Sequence, residues 1–237
     1  MAVGALALWA PGALAGLDLT WRACGSSGGD TSLTLDCANL DSVAVLYGSF
    51  QLPDTLTGFA AMTITLDVET ETGELPPFWH FEAGDCNVTG LGFSDAEPSE
   101  ACEGALNPWG EDGSESVSGI GYGPQFGAKN RGRFIGIIAR PEDRPITLIG
   151  GENYFAFKLR LFSDNAKEAR GPCAGCRAPA TIVWTSALLQ AVTGSATLIT
   201  SPGPRGQCVR LNGARPGGCK ALLMKIAAPD TSKTKRP

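Results

Sequence analysis

A chain of 237 residues with 43% hydrophobic residues is long enough to bury a full core and too apolar for default disorder. Its net charge of −5, and basic residues without aromatic interleaving, exclude nucleic acid as the natural partner. Gly 31 and Pro 16 follow no strict period, so beside clear hydrophobic alternation they mark turns between strands.

The charge is unevenly distributed. Residues 1–128 hold 18 acidic and one basic side chain, Arg22, whereas residues 129–237 hold 18 basic and six acidic ones. No linker-like stretch separates the halves, so the expected arrangement is interleaving within one sandwich. Lys158 and Arg160 are the basic residues expected to face Asp67 and Glu69.

Residues 1–15 have the form of a signal peptide. Ala2 to Trp9 is apolar, Pro11-Gly12 breaks the run, and Ala13-Leu14-Ala15 is a small-x-small cleavage site before Gly16. The basic n-region is missing, which fits a start further upstream. The competing reading is a buried N-terminal strand or helix. The run is too short to span a bilayer and no other segment approaches that length, so a secreted or cell-surface protein without a transmembrane segment is expected.

In chain order, Leu17, Leu19 and Trp21 alternate with Asp18 and Thr20 as a half-buried strand. Ser32–Cys37 and Val43–Leu52 follow. Across Thr57–Thr70, Met62, Ile64, Leu66 and Val68 share one face, and Thr63, Thr65, Asp67 and Glu69 the other. Phe78–Phe81 reads as a short strand or a turn of helix. The looser acidic region 84–127 is expected to hold strands near Val88–Phe93 and Val117–Tyr122. Phe134–Ala139 reads as a strand buried on both faces, and Ile146–Ile149 is another strand. Phe155, Phe157, Leu159 and Leu161 form the inward face of the best core strand. Ala180–Val192 is a long β segment whose Ser186–Gln190 part is also compatible with helix, and Ala196–Thr200 is a further strand. Asn212-Gly213 signals a type I′ hairpin turn. Nine or ten strands with closely spaced turns give an all-β, two-sheet antiparallel sandwich over residues 16–227, followed by a basic flexible tail, residues 228–237.

The eight cysteines, Cys24, Cys37, Cys86, Cys102, Cys173, Cys176, Cys208 and Cys219, suit four disulfides in an oxidising compartment. Sequence leaves 105 connectivities open. Nearest-neighbour pairing is the economical expectation; apart from the short Cys173/Cys176 pair, each closure of about 11–16 residues contributes roughly 3 kcal/mol. Cys173-Ala-Gly-Cys176 is then a clasp between strands. A redox CxxC wants a βαβ context and zinc wants four ligands; the chain has one histidine and no second CxxC.

Candidate chemistry is sparse. His80, between Trp79 and Phe81, suits the core better than a triad, and no GxSxG elbow occurs. The clustered acids Asp85, Asp95, Glu97, Glu100, Glu103, Glu111, Asp112 and Glu115 read first as solvated loop surface. Structural calcium is the better-motivated use of them, although no DxDxDG loop is present and no other cofactor is expected. Two suitably spaced carboxylates would make a glycoside hydrolase, but sequence picks no pair. Trp109, beside Glu111 and Asp112 on a Gly/Pro loop, suits either a sugar-stacking platform or packing over a sheet edge. Trp109, Tyr122, Glu111 and Asp112 are the candidate ligand-binding residues. Asn87-Val-Thr89 is a formal glycosylation sequon.

The opening Gly16-Leu-Asp-Leu-Thr-Trp21 with Cys24, the strand Asn153-Tyr-Phe-Ala-Phe-Lys-Leu, and Cys-Ala-Gly-Cys followed by Pro179 and Ile182-Val183 resemble a group of uncharacterised secreted bacterial β-sandwich proteins. The strand Phe155–Leu161 after a glycine turn is distantly similar to a late strand of cohesin-like and carbohydrate-binding modules. The resemblance implies a jelly-roll or Ig-like sandwich with a binding role and no catalytic residues to carry over. The expected function is recognition of an extracellular polysaccharide or protein. The alternatives are a self-associating surface-layer or scaffold protein and, third, a carboxylate-based hydrolase.

Overall fold

The long alternating stretches are all strands in the computed structural model, which describes residues 15–96, 100–110, 114–123 and 126–227, without the side chains of Ser118, Ile120, Tyr122 and Ala227. The expected signal peptide, Ala15 excepted, and the expected basic tail lie outside the described residues. The strands are β1 (Gly16–Trp21), β2 (Ser32–Leu33), β3 (Val43–Gln51), β4 (Leu56–Thr70), β5 (Leu91–Ser94), β6 (Glu115–Tyr122), β7 (Arg131–Ala139), β8 (Ile146–Leu148), β9 (Asn153–Phe162), β10 (Ala180–Ala191), β11 (Ala196–Ile199) and β12 (Cys208–Leu211). One helix, α1 (Gly218–Ala227), comes after them.

The strands form two sheets. The small one has the order β1-β3-β9-β5; the large one runs β2-β12-β10-β4-β7-β6, with β11 added to β10 and β8 to β4. Pairing is antiparallel except between β2 and β12. Twelve strands exceed the nine or ten expected; β2 and β8 lie where strands were expected, but β2 is cut to Ser32–Leu33 and β8 to Ile146–Leu148.

Met62, Ile64, Leu66 and Val68 of β4 are buried, as their alternation demands, and the inward residues of β9 join them. The Phe157 ring meets Trp184 edge-on at 5.0 Å between centroids and lies 6.0 Å from Phe93. Gly48 stands opposite Phe157 in the β3–β9 ladder, and a Cβ there would run into the phenyl ring. Glycine is thus required by close approach rather than by backbone angle.

Several expectations are corrected. β1 is buried on both faces because the segment 201–206 runs along it: Leu17 and Leu19 donate to the Ser201 and Gly206 carbonyls, and Asp18 accepts from the Arg205 and Gly206 amides. β7 is buried on one face only, with Ile135 and Ile137 facing solvent. Of the two readings open for Ser186–Gln190, strand is the one that forms, so that expectation needs no correction. Of the two readings open for Phe78–Phe81, the turn of helix is the one that forms, as a 3-10 turn over Pro77–Trp79. Asn212 and Gly213 do adopt positive φ, as a type I′ turn requires, but the chain then enters α1 instead of a second hairpin strand.

All eight cysteines are paired, but only Cys208–Cys219 joins sequence neighbours. The other bridges are Cys24–Cys102, Cys37–Cys176 and Cys86–Cys173. Cys173 and Cys176 lie in the connection that carries the chain from the small sheet to the large one. They diverge there, one reaching the loop before β5 and the other the loop after β2. The local clasp is therefore a pair of long-range staples.

Candidate binding face on the large sheet

The large sheet has one face in the core and one facing outward, and among the described residues the outward face is covered at one end only. There α1 packs on β10 and β12: the Cys208–Cys219 bridge fixes its first turn, and Leu222 is buried. An open groove of about 440 Å³ beside it is lined by residues including Glu69, Glu71, Thr181 and Arg215. Its carboxylates are already engaged. Arg215 binds Glu71 through its backbone amide and guanidinium, and Lys225 binds Glu69.

Next along the face comes a charged row. Val183, Asp67, Arg133 and Gly121 are successive cross-strand partners on β10, β4, β7 and β6. Asp67 is fully buried and accepts two parallel hydrogen bonds from Arg133, at 2.8 and 2.9 Å. This bond raises the Arg133 pKa above its ordinary value, against the opposing effect of burial. Glu69 accepts from Arg131 at 2.7 Å and from Lys225 at 2.5 Å. Burial pushes the Glu69 pKa up, but the hydrogen bonds and charges of Lys225 and Arg131 together hold it below its usual range. The expected contact of Lys158 and Arg160 with Asp67 and Glu69 is absent from the geometry: β9 belongs to the other sheet, Lys158 lies opposite Tyr47 and Ser94, and Arg160 stacks over Phe162. The principle behind it holds, since Arg131 and Arg133 come from the basic half and Asp67 and Glu69 from the acidic half.

Beyond the charges the face becomes apolar. Leu198, Leu188, Thr63, Ile137 and Val117 are successive cross-strand partners on β11, β10, β4, β7 and β6. Leu198 is 62% exposed, Val117 64% and Ile137 40%. In the adjacent row Ile135, 44% exposed, lies between Thr65 and Gly119. Four of these five strands thus present aliphatic side chains, with Thr63 and Thr65 of β4 between them, on a surface bounded at one end by the Asp67–Arg133 row. The sequence held a weak signal for it: the pattern of β7 shows which residues alternate, but not that one of its faces is left uncovered.

Of the expected loop site, Trp109 is the residue whose side chain is described. Trp109 is 1% exposed, packs against Phe59 at 5.4 Å and donates from Nε1 to the Ala156 carbonyl at 2.8 Å. The Pro108 carbonyl accepts from Arg140, and the indole packs in the core between Phe59 and Ala156. Glu111 and Asp112 lie outside the described residues, as does the Tyr122 side chain. Asp95 is bonded to the Ser114 hydroxyl, and among the described residues no three acidic, histidine or cysteine groups converge as a cation site. His80 is half-buried with Nε2 2.9 Å from the Leu75 carbonyl oxygen. Asn87 is fully buried, with its amide donating to the Phe78 carbonyl, which puts the sequon out of reach in the folded chain.

Neither a family model nor a curated protein matches the sequence. Among solved structures, a cohesin module from the family 33 glycoside hydrolase of Clostridium perfringens ATCC13124 is similar with a TM-score of 0.36 and 8% identity, over 84% of this chain and 98% of that one. The second type II cohesin module of the cellulosomal adaptor ScaA scaffoldin from Acetivibrio cellulolyticus gives a TM-score of 0.38 and 8% identity, over 85% and 98%. The likeness to cohesin modules is distant.

Proposed function

We propose that this chain is a secreted or cell-surface, non-catalytic binding module that docks a protein partner on the outer face of its large sheet. The observation that carries the reading is the solvent-facing row Leu198–Leu188–Thr63–Ile137–Val117 with Ile135 beside it. Contiguous exposed apolar surface rimmed by polar groups is the mark of an interaction site. Its chemistry favours protein over polysaccharide. Sugar platforms use flat aromatic rings, whereas the exposed large apolar residues described here are Leu, Val, Ile and Met. Four disulfides support an oxidising location. The commitment of Asp67, Glu69, Glu71 and Glu74 to ion pairs with arginine or lysine supports a non-catalytic role.

The test compares wild type with Leu198→Lys and Ile137→Lys for retention of extracellular proteins of the producing organism, with a glycan array alongside. Specific retention lost in both variants at unchanged thermal midpoint supports the reading. Retention that survives both substitutions, or binding to a glycan instead, contradicts it.

A further inference from the structure

The apolar row runs to the sheet's edge at β6, and the edges of the two sheets are treated differently. β1 is covered by the segment 201–206, and the free side of β9 is shared by β5 and by Leu106, which bridges to Tyr154. β2, β8 and β11 span only two to four residues. β6 is eight residues long, pairs with β7 on one side, and among the described residues pairs with no strand on the other. Natural edges of this length are blunted by proline, lysine, a bulge or a cover. The sequence Glu-Ser-Val-Ser-Gly-Ile-Gly-Tyr has no proline or lysine, and its ladder with β7 has no register shift.

We propose that β6 pairs antiparallel with β6 of a second copy of this chain, about a two-fold axis at Ser118, joining two large sheets into one. Residues facing each other across an antiparallel ladder share a face, so a symmetric pairing sets odd positions against odd positions. With the axis at Ser118, Val117 lies opposite Gly119 of the second copy and Glu115 opposite its Gly121. Both glycines are small where the incoming side chain is large. Gly119 neighbours Ile135 on β7, so Val117 is carried against apolar surface. Gly121 neighbours Arg133, so Glu115 reaches across the glycine toward a guanidinium two strand spacings away, about 10 Å between backbones. Arg133 binds Asp67 through Nε and Nη2 and stacks over the Phe126 ring, so Nη1 is the guanidinium nitrogen outside the Asp67 bonds.

The alternatives fit less well. An axis at Val117 sets Glu115 beside Gly119 and the apolar Ile135, and an axis at Gly119 sets Val117 beside the Gly121–Arg133 pair. Only the Ser118 axis continues an apolar row into an apolar row and a carboxylate into the charged row. The joined sheet would present two copies of the aliphatic face side by side. This inference does not depend on the docking proposal, because Leu198 lies on the far side of the sheet from β6. Leu198→Lys therefore probes docking and leaves the edge intact.

The experiment is sedimentation analysis of the full chain over a wide concentration range at low and high salt. The expected result is a reversible dimer at low salt that weakens as salt is added. Gly119→Val weakens it by about tenfold or more at unchanged thermal midpoint. No atom lies within 4 Å of a Cβ built at Gly119, so the monomer tolerates the side chain. Glu115→Arg weakens the dimer at low salt by a similar factor, with a smaller effect at high salt. Oxidative cross-linking of a mixture of Val117→Cys and Gly119→Cys proteins, read by intact mass, yields the mixed dimer in preference to either like pair. A strict monomer at every concentration, a dimer indifferent to Gly119→Val, or equal cross-linking in all pairings overturns the proposal.

Discussion

Arg133 of the basic half holds the fully buried carboxylate of Asp67 of the acidic half with two parallel hydrogen bonds. Breaking a buried pair leaves an uncompensated charge, and Arg133 is one-third exposed, which softens that cost. Asp67→Asn is expected to destabilise the fold by about 2–3 kcal/mol. Urea unfolding measures it.

The Glu69 pKa is lowered in the folded state, which fixes the sign of a pH effect. A depressed carboxyl contributes stability that is fully present above the unfolded value of 4.5 and is lost as pH falls through the lower folded value. The thermal midpoint should therefore fall on acidification below about pH 4.5, with a smaller fall in Glu69→Gln. Asp18 acts in the opposite sense. Burial raises its pKa despite the Arg205 and Gly206 amides, so its contribution is greatest at low pH and declines as pH rises through the folded pKa. Asp18→Asn keeps an acceptor for both amides and should hold neutral-pH stability within about 1 kcal/mol, whereas Asp18→Leu should lose more.

Gly48 is required by the ring of Phe157. Gly48→Ala should cost about 1–3 kcal/mol through overpacking, and Phe157→Leu in the same chain should recover part of it. A double-mutant cycle in urea reads the coupling.

Trp109→Ala should cost about 3–5 kcal/mol as a core truncation, not through loss of a ligand contact. Thermal unfolding checks the magnitude.

Cys37–Cys176 closes a sequence separation of 139 residues and Cys208–Cys219 one of 11. In the chain-entropy model the first contributes about 5 kcal/mol and the second about 3. Replacing both cysteines of each pair by serine should reproduce that order in urea midpoints. Non-reducing peptide mapping should recover the four pairings.

The sandwich was legible because alternation over β4 and β9 has one physical cause, a strand with unlike faces. The apolar outer face was not, because Ile135, Ile137 and their neighbours look the same in sequence whether a second layer covers them or water does. The disulfide pattern failed for a related reason: sequence proximity says nothing about which loops the two sheets bring together, and Cys173 and Cys176 part company within one turn. The helix α1 was hidden behind a correctly read turn, since Asn212-Gly213 fixes the backbone locally and does not dictate the element after it. Trp109 was ambiguous because an indole on a Gly/Pro loop is equally suited to cover a core or to meet a sugar.

The most direct test of the central claim places a photo-crosslinking residue at Leu198 on the aliphatic face and, as a control, at Val88, an exposed residue in the loop before β5. Exposed to the extracellular proteins of the producing organism, the Leu198 probe should give one discrete protein adduct, competed away by unlabelled wild type but not by Ile137→Lys, and the Val88 probe should give none. Identical adducts from both positions, or competition by Ile137→Lys as effective as by wild type, would contradict a docking role for the outer face of the large sheet.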